Sequence, residues 1–133
     1  MDLSKVNYIA VLAAAVSSFL IGGLWYSPVL FARAWMREAK VSEEELRQRV
    51  GQTFAGAFVL SFVVALNLAF FLGTNASISW GAGAGALAGV GWAAASLATV
   101  FLFERRSLAL MIIDGGYLAV SYTVMGIVIA ALQ

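Results

Sequence analysis

Apolar residues gather into long runs that polar residues interrupt at only a few places. No charge falls between Val6 and Ala32, more than the roughly 20 residues that cross a bilayer. A second uncharged stretch extends from Val50 to Phe103, too long for one crossing, and Gly73-Thr74-Asn75-Ala76-Ser77 supplies turn residues inside it. Asn75-Ala76-Ser77 also matches a glycosylation pattern, but in so tight a connection it reads as a turn. The last run covers Ser107 to Leu132. The pattern predicts an all-α integral membrane four-helix bundle with short loops, a single domain over 1–133, with helices at about 6–28, 43–73, 78–103 and 107–132.

Local signals set the helix ends. Pro28 lacks an N–H and is expected to kink or end the first helix near Tyr26-Ser27. The first run exceeds the apolar part of a signal peptide and reads as a retained helix. Leu30, Phe31, Trp35 and Met36 then alternate with Arg33, Arg37 and Lys40, which reads either as an amphipathic segment on the cytoplasmic membrane surface or as an extension of the first helix. Ser42 and Glu45 have the spacing of a capping box, flanked by Val41 and Leu46. A continuous helix from Glu43 to Gly73 would be roughly 46 Å long at 1.5 Å per residue, so its first two turns are expected in water. The Glu43-Glu44-Glu45 run suits the positive end of its dipole.

Small residues mark close helix contacts. Ala10, Ala14, Ser18 and Gly22 recur every four positions, as do Gly81, Gly85 and Gly89. Each glycine costs a helix in water up to roughly 1 kcal/mol relative to alanine, whereas in lipid such a ladder lets backbones approach closely. Its partner, in the same chain or another, is not specified by the pattern. Trp92 reads as a space filler beside these glycines.

Composition agrees with the pattern. Hydrophobic residues make up 62% and charged residues 11%, against about 45–50% and about 25% in soluble domains, so the lipid bilayer is the expected solvent. The chain has no Cys and no His, which excludes disulfides, thiol nucleophiles, Ser-His-Asp triads and ordinary zinc or haem ligation. No cofactor, no metal site and no nucleic-acid partner is expected.

Charge sets the orientation. One side of a four-span chain holds Arg33, Arg37, Lys40, Arg47, Arg49, Arg105 and Arg106, and the other holds Lys5 alone. The positive-inside rule places both basic loops in the cytoplasm and both termini on the outer side. Tyr8 and Trp80 fall at the outer aromatic belt, and Trp25, Tyr26 and Trp35 at the inner one. A bias this one-sided makes subunits of any oligomer parallel.

Two motifs carry a resemblance. Trp25-Tyr26-Ser27-Pro28 with Phe31 and Trp35, and Phe103-Glu104-Arg105-Arg106 with the pair Gly116-Tyr117, resemble the bacterial membrane family known as domain of unknown function 1761. The resemblance covers nearly the whole chain. It implies a four-helix inner-membrane protein and supplies no activity, substrate or catalytic residue.

Asp114 is the only acid or base inside any apolar run. An acid at a helix centre costs about 2.5–3.5 kcal/mol on insertion scales. Tyr117 and Ser121 share its helix face. Counting equal depth on the other helices gives Ser61, Ser96 with Thr99, and the region of Gly22-Gly23, while Asn67 lies nearer the outer side. Three readings stand. Asp114 pairs with a rim arginine such as Arg33 or Arg105, or hydrogen-bonds across helices; it exchanges a proton or cation during passage of a small solute; or it sets the register between subunits. The leading function is permeation or transport of a small solute or ion by a homo-oligomer with Asp114 as the protonatable group. The alternative is a non-transporting scaffold or assembly protein that packs through the glycine ladder. No nucleophile–base pair is recognisable, so an enzyme is not expected. The basic rim of Arg33, Arg37, Arg105 and Arg106 faces anionic headgroups or a docking partner. Topology labels attached at the two chain ends are expected to report from the outer face, and a cytosolic signal from either end contradicts the assignment.

Overall fold

The computed structural model describes residues 2–133. It contains four helices long and apolar enough to cross a membrane, and no strand among the described residues. A short turn of 3-10 helix at Leu3–Lys5 leads into α1, Tyr8–Trp25. Asn7 caps α1 by accepting from the Ala10 N–H at 3.1 Å and donates its own amide to the Leu132 carbonyl at 2.8 Å. One side chain thereby starts the first spanning helix and ties it to the end of the last.

Trp25 ends α1, inside the expected limit at 28. Pro28 has no amide hydrogen to continue the ladder, and the chain reverses tightly instead. The Leu30 and Ala32 amides bond to the Ser27 carbonyl, and the Phe31 amide to that of Trp25. The short helix α2, Ala32–Ala39, follows with its arginines outward and ends at Lys40 in the left-handed region, φ 59°.

The helix expected over 43–73 is broken. α3 covers only Glu43–Arg47, started by a complete capping box between Ser42 and Glu45. Gln48 is extended, Arg49 is left-handed at φ 56°, and α4 begins afresh at Val50–Leu72. Glu, Leu, Arg and Gln all favour helix, so propensity does not cause the break. Its five residues bury nothing, so no core packing holds them in line with α4, and the break falls where the charged segment gives way to the apolar one.

Gly73, at φ 82°, closes α4 in a conformation that a side chain disfavours. Ser77 then caps α5, Ile78–Phe103. α5 is one continuous helix whose middle turn, Gly89–Ala94, is widened into π geometry. Ser107 caps α6, Leu108–Ala131, by accepting from the Leu110 amide.

α6 is the axis of the bundle, with α1 and α5 packed along it and α4 laid mainly on α1. Val11, Ala14, Ala15, Ala65, Leu68, Met125 and Ile129 form the core between them. The partner of the glycine ladder is α6 of the same chain. A Cβ on Gly81 would overlap the Gly126 carbonyl, one on Gly85 would overlap the Tyr122 carbonyl, and one on Gly89 would lie 2.8 Å from Tyr122 Cβ. The ladder is therefore covered within the chain by α6. Trp92 does not fill space beside it. That side chain is 64% exposed and meets Phe71 edge-on, with centroids 5.5 Å apart. It lines a groove of about 430 Å³ between α4 and α5, together with Asn67 and Tyr122.

Gly85→Leu is expected to destabilise the bundle by at least the roughly 1–3 kcal/mol typical of overpacking, read as a lower unfolding temperature in detergent. A Cβ on Gly83 would meet nothing within 4 Å, so this position is expected to accept leucine with little change. Equal effects at the two positions would contradict the packing.

Candidate functional site

The site is the seam between α1 and α6 in the half of the bundle nearest the basic loops. Asp114 lies seven residues past the Ser107 cap, about 10 Å along the axis at 1.5 Å per residue. Its carboxylate Oδ1 accepts a hydrogen bond from the Tyr26 hydroxyl at 2.7 Å. Tyr26 reaches it because α1 stops at Trp25 and the reversal before α2 turns the next ring back onto α6. Trp25 does the same one residue earlier, donating its indole N–H to the Ile113 carbonyl at 2.9 Å. The indole lies over Gly116, where a Cβ would sit 3.0 Å from Trp25 Cζ2, so a larger residue there would have to push the ring aside.

Aromatic rings brace this joint. Tyr26 meets Trp35 of α2 and Tyr117 of α6 edge-on, at 5.8 and 5.5 Å between centroids. Trp25 and Phe31 are 5.0 Å apart. Some of the residues that carry the family resemblance are thus in contact in space, with Trp25 and Tyr26 from the first motif resting on α6 beside Gly116 and Tyr117 of the second.

A row of hydroxyls continues inward from Tyr117. Its hydroxyl donates to the Ser18 carbonyl at 3.2 Å and lies 3.1 Å from Ser18 Oγ. Ser18 Oγ lies 2.7 Å from Ser121 Oγ. Ser18 and Ser121 are 3% and 1% exposed. Beyond them the seam is closed by Ala14, Ala15 and Met125, all buried. The stripe of Ala10, Ala14, Ser18 and Gly22 faces into the bundle, with Gly22 resting against the Tyr117 ring at 3.4 Å from its would-be Cβ.

The structure brings together Asp114, Tyr117 and Ser121 on one face of α6, and adds Ser18, Trp25 and Tyr26. It does not bring Ser61, Ser96 or Thr99 to them. Ser96 and Thr99 are exposed, and the Thr99 hydroxyl is used on its own helix, donating to the Ala95 carbonyl at 2.9 Å. Ser61 is half-buried on α4 and has no hydrogen bond to the seam. Equal depth does not mean a shared azimuth, and these three face other directions. Asp114 also has no arginine. Among the described residues the ion pairs are Arg37–Glu38, Arg47–Glu43 and Arg106–Glu104, so neither Arg33 nor Arg105 neutralises it. Of the structural alternatives, the hydrogen bond across helices is the one present.

Trp25 and Tyr26 are hidden by their own location. An aromatic belt accounts for a Trp-Tyr pair at a membrane edge without any partner. The signal that singles them out is Pro28 close behind, which forces a reversal.

No group of three or more potential metal ligands occurs among the described residues. Four apolar spanning helices and a polar seam between the first and the last define a small polytopic membrane protein. Residues 9–130 match the family described as Protein of unknown function (DUF1761), and the chain belongs to that family. No similar curated protein and no similar solved structure was found.

The hydroxyl pair makes the seam measurable. In a double-mutant cycle of Ser18→Ala and Ser121→Ala, unfolding in detergent is expected to give a coupling of about 0.6 kcal/mol, below the roughly 1.7 kcal/mol maximum seen for such bonds in membranes. Strict additivity would mean that the two hydroxyls do not meet.

Proposed function

We propose that this protein moves a small cation or proton-linked solute across the inner membrane, with Asp114 as the group that takes up and releases the positive species. The observation that carries this reading is the carboxylate's incomplete company. An ionised carboxylate offers about four lone-pair sites, and the chain supplies Asp114 with one phenol and no cation. A negative charge half-buried within a spanning helix calls for a positive partner, and a proton or a small cation meets that need where an arginine does not. An acid inside a spanning segment is by default a functional position.

The hydroxyls of Tyr117, Ser18 and Ser121 extend the polar path inward from the carboxylate. The buried apolar layer past Ser121 then acts as a barrier that must open for passage. The wide turn at Gly89–Ala94 supports such movement. It lies against α6, with Ala94 beside Gly115, and π turns accompany functional sites. In this reading the basic loops lie in the cytoplasm and both termini outside, so Asp114 loads from the cytoplasmic edge. Subunits of a homo-oligomer run parallel, meeting on faces such as that of Val59, Leu60 and Val63, because the glycine ladder is already used within the chain. The reading is non-enzymatic.

The test is proton flux into liposomes that hold a pH-sensitive dye, driven by a potassium diffusion potential set with valinomycin. Wild-type protein is expected to acidify or alkalinise the lumen several-fold faster than empty liposomes do. Asp114→Asn, shown to be folded by its helical circular dichroism and gel-filtration profile, is expected to fall to the empty-liposome rate. Wild-type protein that carries neither protons nor sodium, potassium, ammonium or guanidinium above that background overturns the proposal.

A further inference from the structure

The basic end of the bundle carries an observation that the seam does not explain. Among the described residues, three other than glycine have positive φ: Lys40 at 59°, Arg49 at 56° and Arg105 at 62°. All three are cationic and exposed, and all lie in the connections at one end of the bundle. Glycine takes this conformation without strain, whereas any residue with a side chain meets its own backbone. At each of these breaks the chain holds a strained cation where glycine would fit more easily.

Ion pairing does not account for them. Glu38, Glu43 and Glu104 pair with Arg37, Arg47 and Arg106, Glu45 is used in the capping box with Ser42, and Glu44 makes no ion pair among the described residues. Lys40, Arg49 and Arg105, together with Arg33 on the exposed side of α2, have no carboxylate within 4.0 Å among the described residues. Their placement points to a partner at a particular height. Arg49 directly precedes the first residue of α4, and Arg105 follows two residues after the last of α5. Both therefore flank the ends of apolar helices long enough to span a bilayer, the position from which a long basic side chain reaches the interface. Arginine binds phosphate oxygens through a planar fork of donors, and strained backbone is retained where the position serves a purpose.

We infer that Lys40, Arg49 and Arg105, with Arg33, form a binding surface for the phosphate of anionic phospholipid headgroups, and that left-handed backbone is tolerated there in exchange for the charge. The inference is independent of whether Asp114 carries a solute.

The full chain in zwitterionic detergent is titrated with phosphatidylglycerol, phosphatidylcholine or inorganic phosphate, and its unfolding temperature is followed. Wild-type protein is expected to gain several degrees with phosphatidylglycerol and little with the other two. The triple variant Lys40→Gly, Arg49→Gly, Arg105→Gly is expected to be at least as stable as wild type without lipid, since glycine relieves the strain, and to lose more than two-thirds of the phosphatidylglycerol gain. Lys40→Arg with Arg49→Lys and Arg105→Lys, which keeps the charge, is expected to keep most of that gain and serves as the folded comparison. An equal gain in the glycine variant, or an equal gain from phosphatidylcholine, overturns the inference. A gain from inorganic phosphate that matches the lipid's also overturns it, in favour of a soluble anion.

Discussion

A carboxylate inside a membrane has to be met by the protein or by something positive, and here the protein offers a single phenol. The contact between Tyr26 and Asp114 at 2.7 Å organises the half of the bundle nearest the basic loops. To make it, α1 must stop at Trp25, the chain must reverse at Pro28, and α6 must present Gly116 so that the neighbouring indole can settle on its backbone. The aromatic contacts of Tyr26 with Trp35 and Tyr117 then fix the phenol from both sides. Packing and electrostatics meet in this joint, where rings surround the phenol that bonds a half-buried acid without a counter-charge.

The other half of the bundle obeys a different constraint. Lipid tails are as apolar as leucine, so helices associate through close contact rather than through expulsion of water. Gly81, Gly85 and Gly89 bring α5 onto the backbone of α6. Alanines and a methionine fill the layer beside them. One end of α6 is thus gripped through backbone contact and the other through hydrogen bonds and rings. The π turn at Gly89–Ala94 lies between the two regimes, where α5 leaves its glycine track.

Much of this is legible in the order of residues, and the parts that are not share a cause. Periodicity reports the height of a residue in the membrane and the size of its side chain, so four spans and two small-residue stripes can be read directly. It does not report which neighbour a face meets. The ladder therefore fits a second subunit as well as α6. Ser61, Ser96 and Thr99 match Asp114 in depth, and yet Ser96 and Thr99 point outward. Tyr26 escapes the pattern because it lies past the end of its helix, where helical geometry no longer predicts direction. The interruption at Gln48 and Arg49 escapes it for a complementary reason. Both residues favour helix, and only the lack of buried contacts around Glu43–Arg47 lets the chain bend there. Membership of the family, by contrast, rests on a match that runs over residues 9–130.

The carboxyl of Asp114 is held by a phenol and by no arginine, and infrared difference spectroscopy tests this directly. The carboxyl band of Asp114, assigned by its disappearance in Asp114→Asn, is predicted to shift when Tyr26 becomes phenylalanine and to stay in place in Arg33→Gln and Arg105→Gln. A band indifferent to Tyr26 that moves with either arginine would contradict it.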